Sequence, residues 1–452
     1  MICLIQRIDE GNYKYKFSYI EEEKEFGFIE VEETLDVINI IDVLVYENNR
    51  KKGVASKLME EVINIYKDKE KLMLEVRVSN TPAIRLYEKF SFKTIFTREK
   101  YYKGEDAYIM ERKNDVYIFA IESSCDETSA SIVKNGNVDI STVINTQIDT
   151  HKIYGGVVPE VASRLHLENI TLVIDECIKK SGMKMEDMSA IAVTYSPGLL
   201  GSLLVGVEAA KALSLVYNKP FIKVNHMMGH ICANNIGQTL EYPLLSLVVS
   251  GGHTDLIYMK EEGSFEYIGS TLDDAIGECF DKVARILDMP YPGGPNIEKL
   301  ALEGKETYPM PKILDDESYN FSFSGIKSHV NNLVHNAHQR DEEINKADMA
   351  CSFQVCVTNA LVSKVEKAII KYGVKNFAMC GGVAANSFIR KSLEDMCERH
   401  SVKMFVPDKK YCTDNATMIG AAAYILYKNN KFSDLSVNAS SHEELDVSDY
   451  QR

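Results

Sequence analysis

Apolar residues follow two different spacings along the chain and predict a mixed α/β protein. Short continuous apolar runs such as VYIFAI (116–121) and LLSLVVS (244–250) are typical of buried strands. After the glycine at position 53 the spacing changes, because Val54, Leu58, Val62 and Ile63 recur at helical intervals. The chain therefore alternates between buried strands and amphipathic helices.

Two segments of the larger part of the chain share one plan. VYIFAIESSCDETSASIVKNGNV (116–138) predicts a strand, a polar turn, a strand and an Asn-Gly turn. LLSLVVSGGHTDLIYMK (244–260) predicts a strand, a Ser-Gly-Gly turn and a strand. Each hairpin alone is compatible with an ordinary structural turn. Together, with small residues and free N–H groups at their tips, they predict two α/β lobes that face a nucleotide cleft.

The polar stretch ERKND (111–115) separates two parts of the chain. We predict one domain over residues 1–113 and a second over residues 114–435. The last residues, SVNASSHEELDVSDYQR (436–452), are polar and aperiodic, so we expect them to be disordered.

Composition narrows the function classes. The net charge of −15 argues against a general nucleic-acid coat protein, although a local basic face is enough to bind RNA. The ten cysteines form no CxxC pair, which favours reduced thiols. Apolar runs are too short to span a bilayer, and charges interrupt the first twenty residues. We expect a cytoplasmic protein without a membrane span.

The first domain carries a basic glycine loop between a strand and a helix, in VLVYENNRKKGVASKLMEEVINIY (43–66). Backbone N–H groups at such a helix start can bind a pyrophosphate. Together with LMLEVRVSNTPAIRLYEKFSFK (72–93), this loop resembles the GNAT acetyltransferases, particularly the RimI group, which acetylates the N-terminal amines of proteins. Ser91 stands where that family usually has glycine.

The resemblance implies an acetyl-CoA site, with Glu75 removing the proton of the amine and Tyr87 protonating the thiolate. Its acceptor is expected to be the N-terminal alanine of ribosomal protein bS18. Glu75 as a solvated strand residue and Tyr87 as a core aromatic remain the alternatives. Only some forty residues precede the central strand, which is fewer than the N-terminal strand and helix pair of the family usually require. Part of the peptide-binding wall should therefore be missing. The expected cofactor-binding residues are Val43, Leu44, Val45, Arg50, Lys51, Lys52, Gly53, Val54, Ala55 and Asn80.

The second domain contains VNHMMGHI (224–231), in which His226 and His230 stand four residues apart. This spacing places both imidazoles on one face of a helix, within reach of one metal ion. A zinc protease needs Glu directly after the first histidine, and this chain has Met227 there. An HxxxH pair can also consist of histidines that bind no metal.

A series of motifs supplies the context. They are ESSCDETS (122–129), GGVVPEVASRLH (155–166), SPGLLGSLLVG (196–206), KALSLVYNKPFIKVNHMMGHI (211–231), VSGGHT (249–254), DDAIGECFDKVAR (273–285), PGGP (292–295), FSFSGIKS (321–328), GGVAAN (381–386) and CTDNATMIG (412–420). The series resembles the TsaD family over about residues 114–430. The resemblance implies an α/β fold of the two-lobed actin/Hsp70/sugar-kinase (ASKHA) type. The implied reaction transfers a threonylcarbamoyl group from threonylcarbamoyl-AMP to N6 of adenosine 37, in tRNAs that read codons beginning with A.

By the same resemblance, His226, His230 and Asp414 would bind a divalent iron or zinc ion, which leaves open positions for substrate. Asp126 and Glu127 would order the cleft near the phosphates, although Glu127 alone could be a solvated turn residue. TsaB-like and TsaE-like proteins are the implied partners. The substrate-binding residues would be Val248, Val249, Ser250, Gly251, Gly252, Asp281, Gly294, Glu298 and Asn386.

Two other functions compete with the transferase. A metalloprotease lacks the base beside His226 and has no need of nucleotide loops. A non-enzymatic ATP-binding scaffold would have no use for an intact set of His226, His230 and Asp414.

Overall fold

The computed structural model describes residues 2–9, 13–35, 37–67 and 69–442. The chain divides into two compact units between Asp115 and Val116, two residues beyond the junction predicted from the sequence.

The first unit is built on a seven-stranded sheet of order β1-β2-β3-β4-β5-β7-β6, in which only β4 and β5 are parallel. Helix α1 packs on the sheet through Val54, Leu58, Met59 and Val62, while Ile63 of the predicted apolar face is partly buried. The elements are β1 (Ile2–Asp9), β2 (Lys14–Glu21), β3 (Lys24–Thr34), β4 (Val37–Val45), α1 (Val54–Ile65), β5 (Lys71–Arg77), α2 (Thr81–Lys89), β6 (Lys93–Tyr102) and β7 (Glu105–Lys113).

The short N-terminal region of this unit forms a strand but leaves no room for helices. β1 is present at the sheet edge and pairs with β2. Only residues 10–13 separate the two strands, which is too short for a helix pair. The expected shortening of the N-terminal region therefore concerns the segment between β1 and β2, and its effect on a peptide-binding wall stays a prediction.

The second unit contains two five-stranded sheets of one topology, which confirms the two-lobed fold predicted from the repeated hairpins. The first lobe has the order β10-β9-β8-β11-β12 and the second β15-β14-β13-β16-β17. In each, an antiparallel three-stranded meander is followed by two parallel strands. The strands are β8 (Tyr117–Glu122), β9 (Glu127–Lys134), β10 (Val138–Thr146), β11 (Ala190–Ser196), β12 (Phe221–Asn225), β13 (Leu244–Val249), β14 (Thr254–Met259), β15 (Glu266–Ser270), β16 (Asn376–Cys380) and β17 (Lys403–Phe405).

Two helices, α6 and α12, fill the space between the lobes. One core cluster joins Ala120 of β8, Val248 of β13, Met228 of α6 and Ile419 of α12. The helices are α3 (Ile148–Lys152), α4 (Pro159–Ser181), α5 (Leu200–Tyr217), α6 (His226–Cys232), α7 (Ile276–Ile286), α8 (Gly293–Ala301), α9 (Ser324–Gln339), α10 (Lys346–Tyr372), α11 (Ser387–Arg399) and α12 (Ala416–Lys428).

Gly229 allows α6 to approach α12 closely. A Cβ atom at this position would lie 2.7 Å from Cδ1 of Ile419 and 3.2 Å from Cγ of Met418. The glycine between the two histidines therefore belongs to the packing that brings α6 beside the start of α12, where Asp414 precedes the helix.

The start of the C-terminal tail is packed, which differs from the disorder expected from residue 436 onward. Val437 and Ala439 lie against the core of the first lobe, and the N–H of Ser440 donates to the carbonyl of Tyr195 at 2.9 Å. These two apolar side chains explain the difference, because their burial offsets the polar composition. Residues 443–452 of the predicted tail lie outside the described residues.

Helix α5 is long and apolar enough to cross a membrane if judged by length and composition alone. Its Leu203, Val207 and Ala210 are buried in the first lobe. A core helix of a globular fold passes the same test, so this feature is weak evidence for a membrane span.

Candidate active site

Three potential metal ligands converge where α6 meets the segment before α12. Nε2 of His230 lies 3.2 Å and Nε2 of His226 lies 3.5 Å from Oδ1 of Asp414. One ligand atom from each of the three side chains lies within 4.8 Å of the others. Asn225 starts α6 by accepting hydrogen bonds from the N–H groups of Met227 and Met228. The helix thus begins at His226, and His230 follows one turn later on the same face.

The donor set fits a divalent metal ion. His230 is fully buried, its Nδ1 has no hydrogen-bond partner among the described residues, and its Nε2 meets the carboxylate of Asp414 at 3.2 Å without good hydrogen-bond geometry. Leaving buried polar nitrogens unsatisfied costs about 1–3 kcal/mol each, which coordination of a cation would remove. Two imidazoles and one carboxylate also form a set that suits iron or zinc.

A buried carboxylate, Glu122, stands behind His226. Its Oε2 lies 3.2 Å from Nδ1 of His226 and accepts a hydrogen bond from Thr194 at 2.5 Å, while Oε1 accepts from the N–H of Ser124 at 2.5 Å. Glu122 is completely buried. A carboxylate bonded to Nδ1 fixes the tautomer in which Nε2 is free to bind a metal.

This role of Glu122 is not among the predictions made from the sequence. A signal was available, because VYIFAIE, AIAVTYS and FIKVN each end in a polar residue. These runs form β8, β11 and β12, which are neighbouring parallel strands, and the carboxyl ends of such strands meet at one edge of a sheet.

The electrostatic field of the cluster favours positive charge. Burial alone would lower the pKa of His226, but the carboxylates of Asp414 and Glu122 hold it well above its usual range. Burial alone would raise the pKa of Asp414, and the two histidines hold it below its usual range. A field that stabilises a proton on His226 also stabilises a metal cation.

Asp126 and Glu127 lie at the tip of the first hairpin, within electrostatic reach of Asp414. Burial raises the pKa of Glu127 well above its usual range, and the charges of Asp126 and Asp414 contribute to the shift. The Thr146 hydroxyl donates to Glu127 at 3.3 Å. The structure therefore brings the predicted hairpin acids close to the metal cluster.

The segment Val248–Gly252 forms the end of β13 and the turn after it. Ser250 closes the turn, since its N–H donates to the carbonyl of His253 at 2.9 Å. A Cβ atom at Gly251 or Gly252 would meet no heavy atom within 4 Å, so the backbone at the tip is open to a ligand. Val248 itself is buried in the core between the lobes.

The remaining predicted nucleotide residues lie on the second lobe, in α7, in α8 and directly before α11. Oδ1 of Asp281 accepts from the N–H of Gly293 at 2.6 Å, directly before Gly294, and burial raises its pKa. Oε1 of Glu298 accepts from the N–H of Ser387 at 2.7 Å. Asn386 caps α11 through the N–H of Ile389. Asp281, Glu298 and Asn386 thus hold the local loops through hydrogen bonds to the backbone.

In the first unit, the predicted cofactor loop lies where β4 and β5 part. The two strands pair through Val37–Ile40 and Lys71–Leu74, so Val43, Leu44 and Val45 lie beyond the shared ladder. Gly53 then takes a left-handed conformation, with φ of 80°, directly before α1. Asn80 begins α2 by accepting from the N–H of Ala83. A helix start beside an open strand edge suits a pyrophosphate and its pantetheine arm.

The predicted proton-transfer residues of the first unit differ in their surroundings. Glu75 forms an ion pair with Arg98 at 2.8 Å. Tyr87 lies on α2 and packs against Phe92, and burial raises its pKa to about 12. Tyr87 therefore remains protonated at neutral pH, as an acid must, whereas the carboxylate of Glu75 is paired with Arg98.

Comparison with known proteins matches each unit to a family. Residues 140–421 match the tRNA N6-adenosine threonylcarbamoyltransferase (TsaD) family, and residues 6–92 match the acetyltransferase (GNAT) family. The tRNA N6-adenosine threonylcarbamoyltransferases of Staphylococcus aureus strain MRSA252 and Staphylococcus carnosus strain TM300 are each 50% identical over 337 residues. Those alignments cover 74% of this chain and 98% of each relative.

Two solved structures are similar to different lengths of the chain. The ribosomal-protein-S18-alanine N-acetyltransferase of Escherichia coli is 30% identical, with a TM-score of 0.22, over 22% of this chain and 69% of that protein. Component A of the (R)-2-hydroxyglutaryl-CoA dehydratase of Acidaminococcus fermentans is 16% identical, with a TM-score of 0.42, over 68% of this chain and 98% of that protein.

The His/His/Asp cluster lies between two lobes of one topology, and the match to relatives of known family runs over nearly their whole length. The chain belongs to the tRNA N6-adenosine threonylcarbamoyltransferase (TsaD) family and carries a GNAT acetyltransferase domain at its N-terminus.

Proposed function

We propose that the second unit transfers the threonylcarbamoyl group of threonylcarbamoyl-AMP to N6 of adenosine 37, in cytoplasmic tRNAs that read codons beginning with A. The observation that carries the proposal is the cluster of His226, His230 and Asp414, whose charges act on His253 at the end of the glycine turn after β13. The cluster offers a cation to acyl or phosphate oxygens, and the turn offers open backbone to the donor.

Different residues of the chain bind different parts of the donor. A bound iron or zinc ion would supply Lewis-acid polarisation of the carbamoyl carbonyl. The turn at Gly251 and Gly252 receives the acyl phosphate, and Asp281 and Glu298 accept hydrogen bonds from ribose hydroxyls. Met227 follows the first histidine where a protease would have its base, so no side chain there activates water against the donor.

The decisive experiment incubates the purified chain with threonylcarbamoyl-AMP, unmodified tRNA and the accessory proteins, followed by mass spectrometry of the tRNA nucleosides. The modified adenosine should appear with the wild-type chain and be absent with His226→Ala. Peptide cleavage that requires His226 would support the protease, and nucleotide binding without any tRNA product would support the scaffold.

We further propose that TsaB-like and TsaE-like proteins assist this unit and that the TsaB-like protein binds at α4 and α5. Six of the large apolar side chains that are exposed among the described residues lie on these two helices. They include Leu172, Leu215 and Val216, which are 65%, 71% and 74% exposed. Exposed apolar area of this kind marks a protein interface more often than a free surface.

For the first unit, we propose acetylation of the N-terminal alanine of ribosomal protein bS18 with acetyl-CoA. The open strand edge at Val43–Val45, the basic loop before α1 and the protonated Tyr87 support an acetyl-CoA reaction. The acceptor is suggested by the Escherichia coli S18-alanine N-acetyltransferase, to which this unit is similar.

A further inference from the structure

A cavity of about 660 Å³ opens beside the metal cluster, and both lobes of the second unit contribute to its wall. Asn225 and Met227, which flank His226, line it on one side. Asp255, Tyr267 and Ser270 of the second lobe line it on the other. A volume of this size lies within the range of small-molecule sites, roughly 300–1,000 Å³.

This cavity is separate from the predicted ribose and adenine residues of the donor site, and it adjoins the glycine turn through His253, which is hydrogen-bonded to Ser250. Asp281, Gly294, Glu298 and Asn386 are absent from its wall. They are held at the starts of α8 and α11, where Asp281 bonds Gly293 and Glu298 bonds Ser387. A donor bound there would reach the metal cluster from one side, and the cavity adjoins the cluster at His226.

Asp255 is aimed into this cavity by the strand register. It lies directly opposite Val248 on β13 and opposite Ser270 on β15, so the three side chains share one face of the sheet. Val248 on that face is buried against Met227 and Met228 of α6. The carboxyl group of Asp255 therefore points toward the helix that carries the metal ligands.

The chemistry of the wall suits a purine with an exocyclic amine. Tyr267 shares the sheet face of Asp255, because it pairs with Ile257 two residues farther along β14. Its ring is 42% exposed and offers a surface on which a base can stack. Asp255 is only 7% exposed, and burial raises its pKa, so its carboxylate accepts a proton more readily than a solvated one.

We propose that this cavity receives the acceptor adenine, with Tyr267 stacked on the base and Asp255 taking the proton of its N6 amine. The proposal rests on the tRNA-modifying function given above. The N6 lone pair forms a C–N bond to the carbamoyl carbon, and the bond from that carbon to the phosphate oxygen breaks. AMP leaves with the electron pair, and the N6 proton passes to Asp255.

The test measures steady-state transfer by the full chain with its accessory proteins, varying tRNA and threonylcarbamoyl-AMP separately. Asp255→Asn should lower kcat by about 100-fold or more and leave both KM values unchanged. Tyr267→Ala should raise KM for tRNA about 10-fold, and Tyr267→Phe should restore it, because stacking needs only the ring. Glu266→Gln is the matched control, since Glu266 is exposed on the same strand and does not line the cavity.

Two results would overturn the proposal. Transfer by Asp255→Asn at the wild-type rate would show that Asp255 is not the base. A rise in KM for threonylcarbamoyl-AMP with Tyr267→Ala would show that the cavity binds the donor and not the acceptor adenine. The exposed Tyr267 keeps the test informative if the buried Asp255 variant folds poorly. If neither the wild type nor Glu266→Gln transferred the group, the proposed tRNA-modifying function itself would be wrong. That outcome differs from a loss confined to the Asp255 or Tyr267 variants.

Discussion

At the residue scale, the second layer of contacts around the histidines determines how well the cluster can hold a metal. Glu122 bonds His226, Thr194 and the N–H of Ser124 with its two oxygens. Glutamine has one acceptor oxygen and one donor group, so it cannot satisfy all three. We expect Glu122→Gln to weaken metal affinity about 10–100-fold.

The measurement for Glu122→Gln is competition for zinc against a chromophoric chelator. Glu168→Gln, on the exposed surface of α4, is the control and should bind zinc like the wild type. Equal affinities for all three proteins would show that Glu122 is a structural residue of β8 and does not orient His226.

A second residue-scale prediction concerns the stability of the first unit at alkaline pH. Burial raises the pKa of Tyr87 to about 12 in the folded state, against about 10 for an unfolded tyrosine. The folded state thus holds this proton more tightly, and the resulting stability is present below pH 10 and is lost as pH rises toward 12. The loss should reach about 1 kcal/mol at pH 11.

Urea unfolding at pH 8 and pH 11 checks this effect. The wild type should lose more stability between the two pH values than Tyr87→Phe, which has no phenol to ionise. An identical loss in both proteins would mean that the Tyr87 hydroxyl reaches solvent in the folded state.

At the element scale, the sequence predicts strands and helices well where one pattern runs without interruption. The hairpins at 116–138 and 244–260 are predicted from apolar runs joined by a polar turn in the first and a Ser-Gly-Gly turn in the second, and both lobes have them. The close packing of α6 on α12 through Gly229 could not be predicted, because a glycine inside a helix does not name the partner that approaches it. The role of Glu122 could not be predicted for a similar reason, because it depends on which strand ends lie next to each other in the sheet.

An element-scale prediction addresses the apolar side chains on α4 and α5. Leu172→Asp and Leu215→Asp should each weaken association with a TsaB-like protein by at least about 10-fold, because a carboxylate would be desolvated at the interface. Ile370→Asp on α10 is the matched control, since Ile370 is 64% exposed on the second lobe.

Analytical ultracentrifugation measures this association, and circular dichroism verifies that each variant is folded. Wild-type affinity in both leucine variants would exclude α4 and α5 from the interface. Equal weakening by Ile370→Asp would show that the effect is not specific to these helices.

At the scale of the whole molecule, each unit has its own hydrophobic core. The cluster around Leu58 and Leu72 contains residues of the first unit alone, and the other clusters lie in the second unit. We therefore expect residues 116–452 to fold alone and to keep tRNA modification within about 2-fold of the full chain. The measurement pairs thermal unfolding with nucleoside mass spectrometry. Insolubility of the fragment beside a soluble full chain would contradict independent folding.

The last prediction separates cofactor binding from turnover in the first unit. The loop before α1 exposes Arg50, Lys51 and Lys52 next to a helix start, so acetyl-CoA should bind and its affinity should fall as salt rises. The four residues between β1 and β2 exclude the helices that would orient a peptide amine. Correct positioning of the amine can lower the activation barrier by several kcal/mol. In addition, Glu75 is paired with Arg98. We therefore expect acetylation to be slow although the cofactor binds.

Calorimetry with acetyl-CoA, followed by acetylation of a peptide that copies the N-terminus of bS18, tests both halves of this argument. Arg50→Ala combined with Lys51→Ala should weaken acetyl-CoA binding, and Lys103→Ala, in the turn between β6 and β7, should not. Absence of acetyl-CoA binding in the wild type would reduce this unit to a structural remnant. Tight binding with rapid acetylation would show that the open face left by the missing helices holds a peptide without them, and that the Arg98 ion pair opens when the amine arrives.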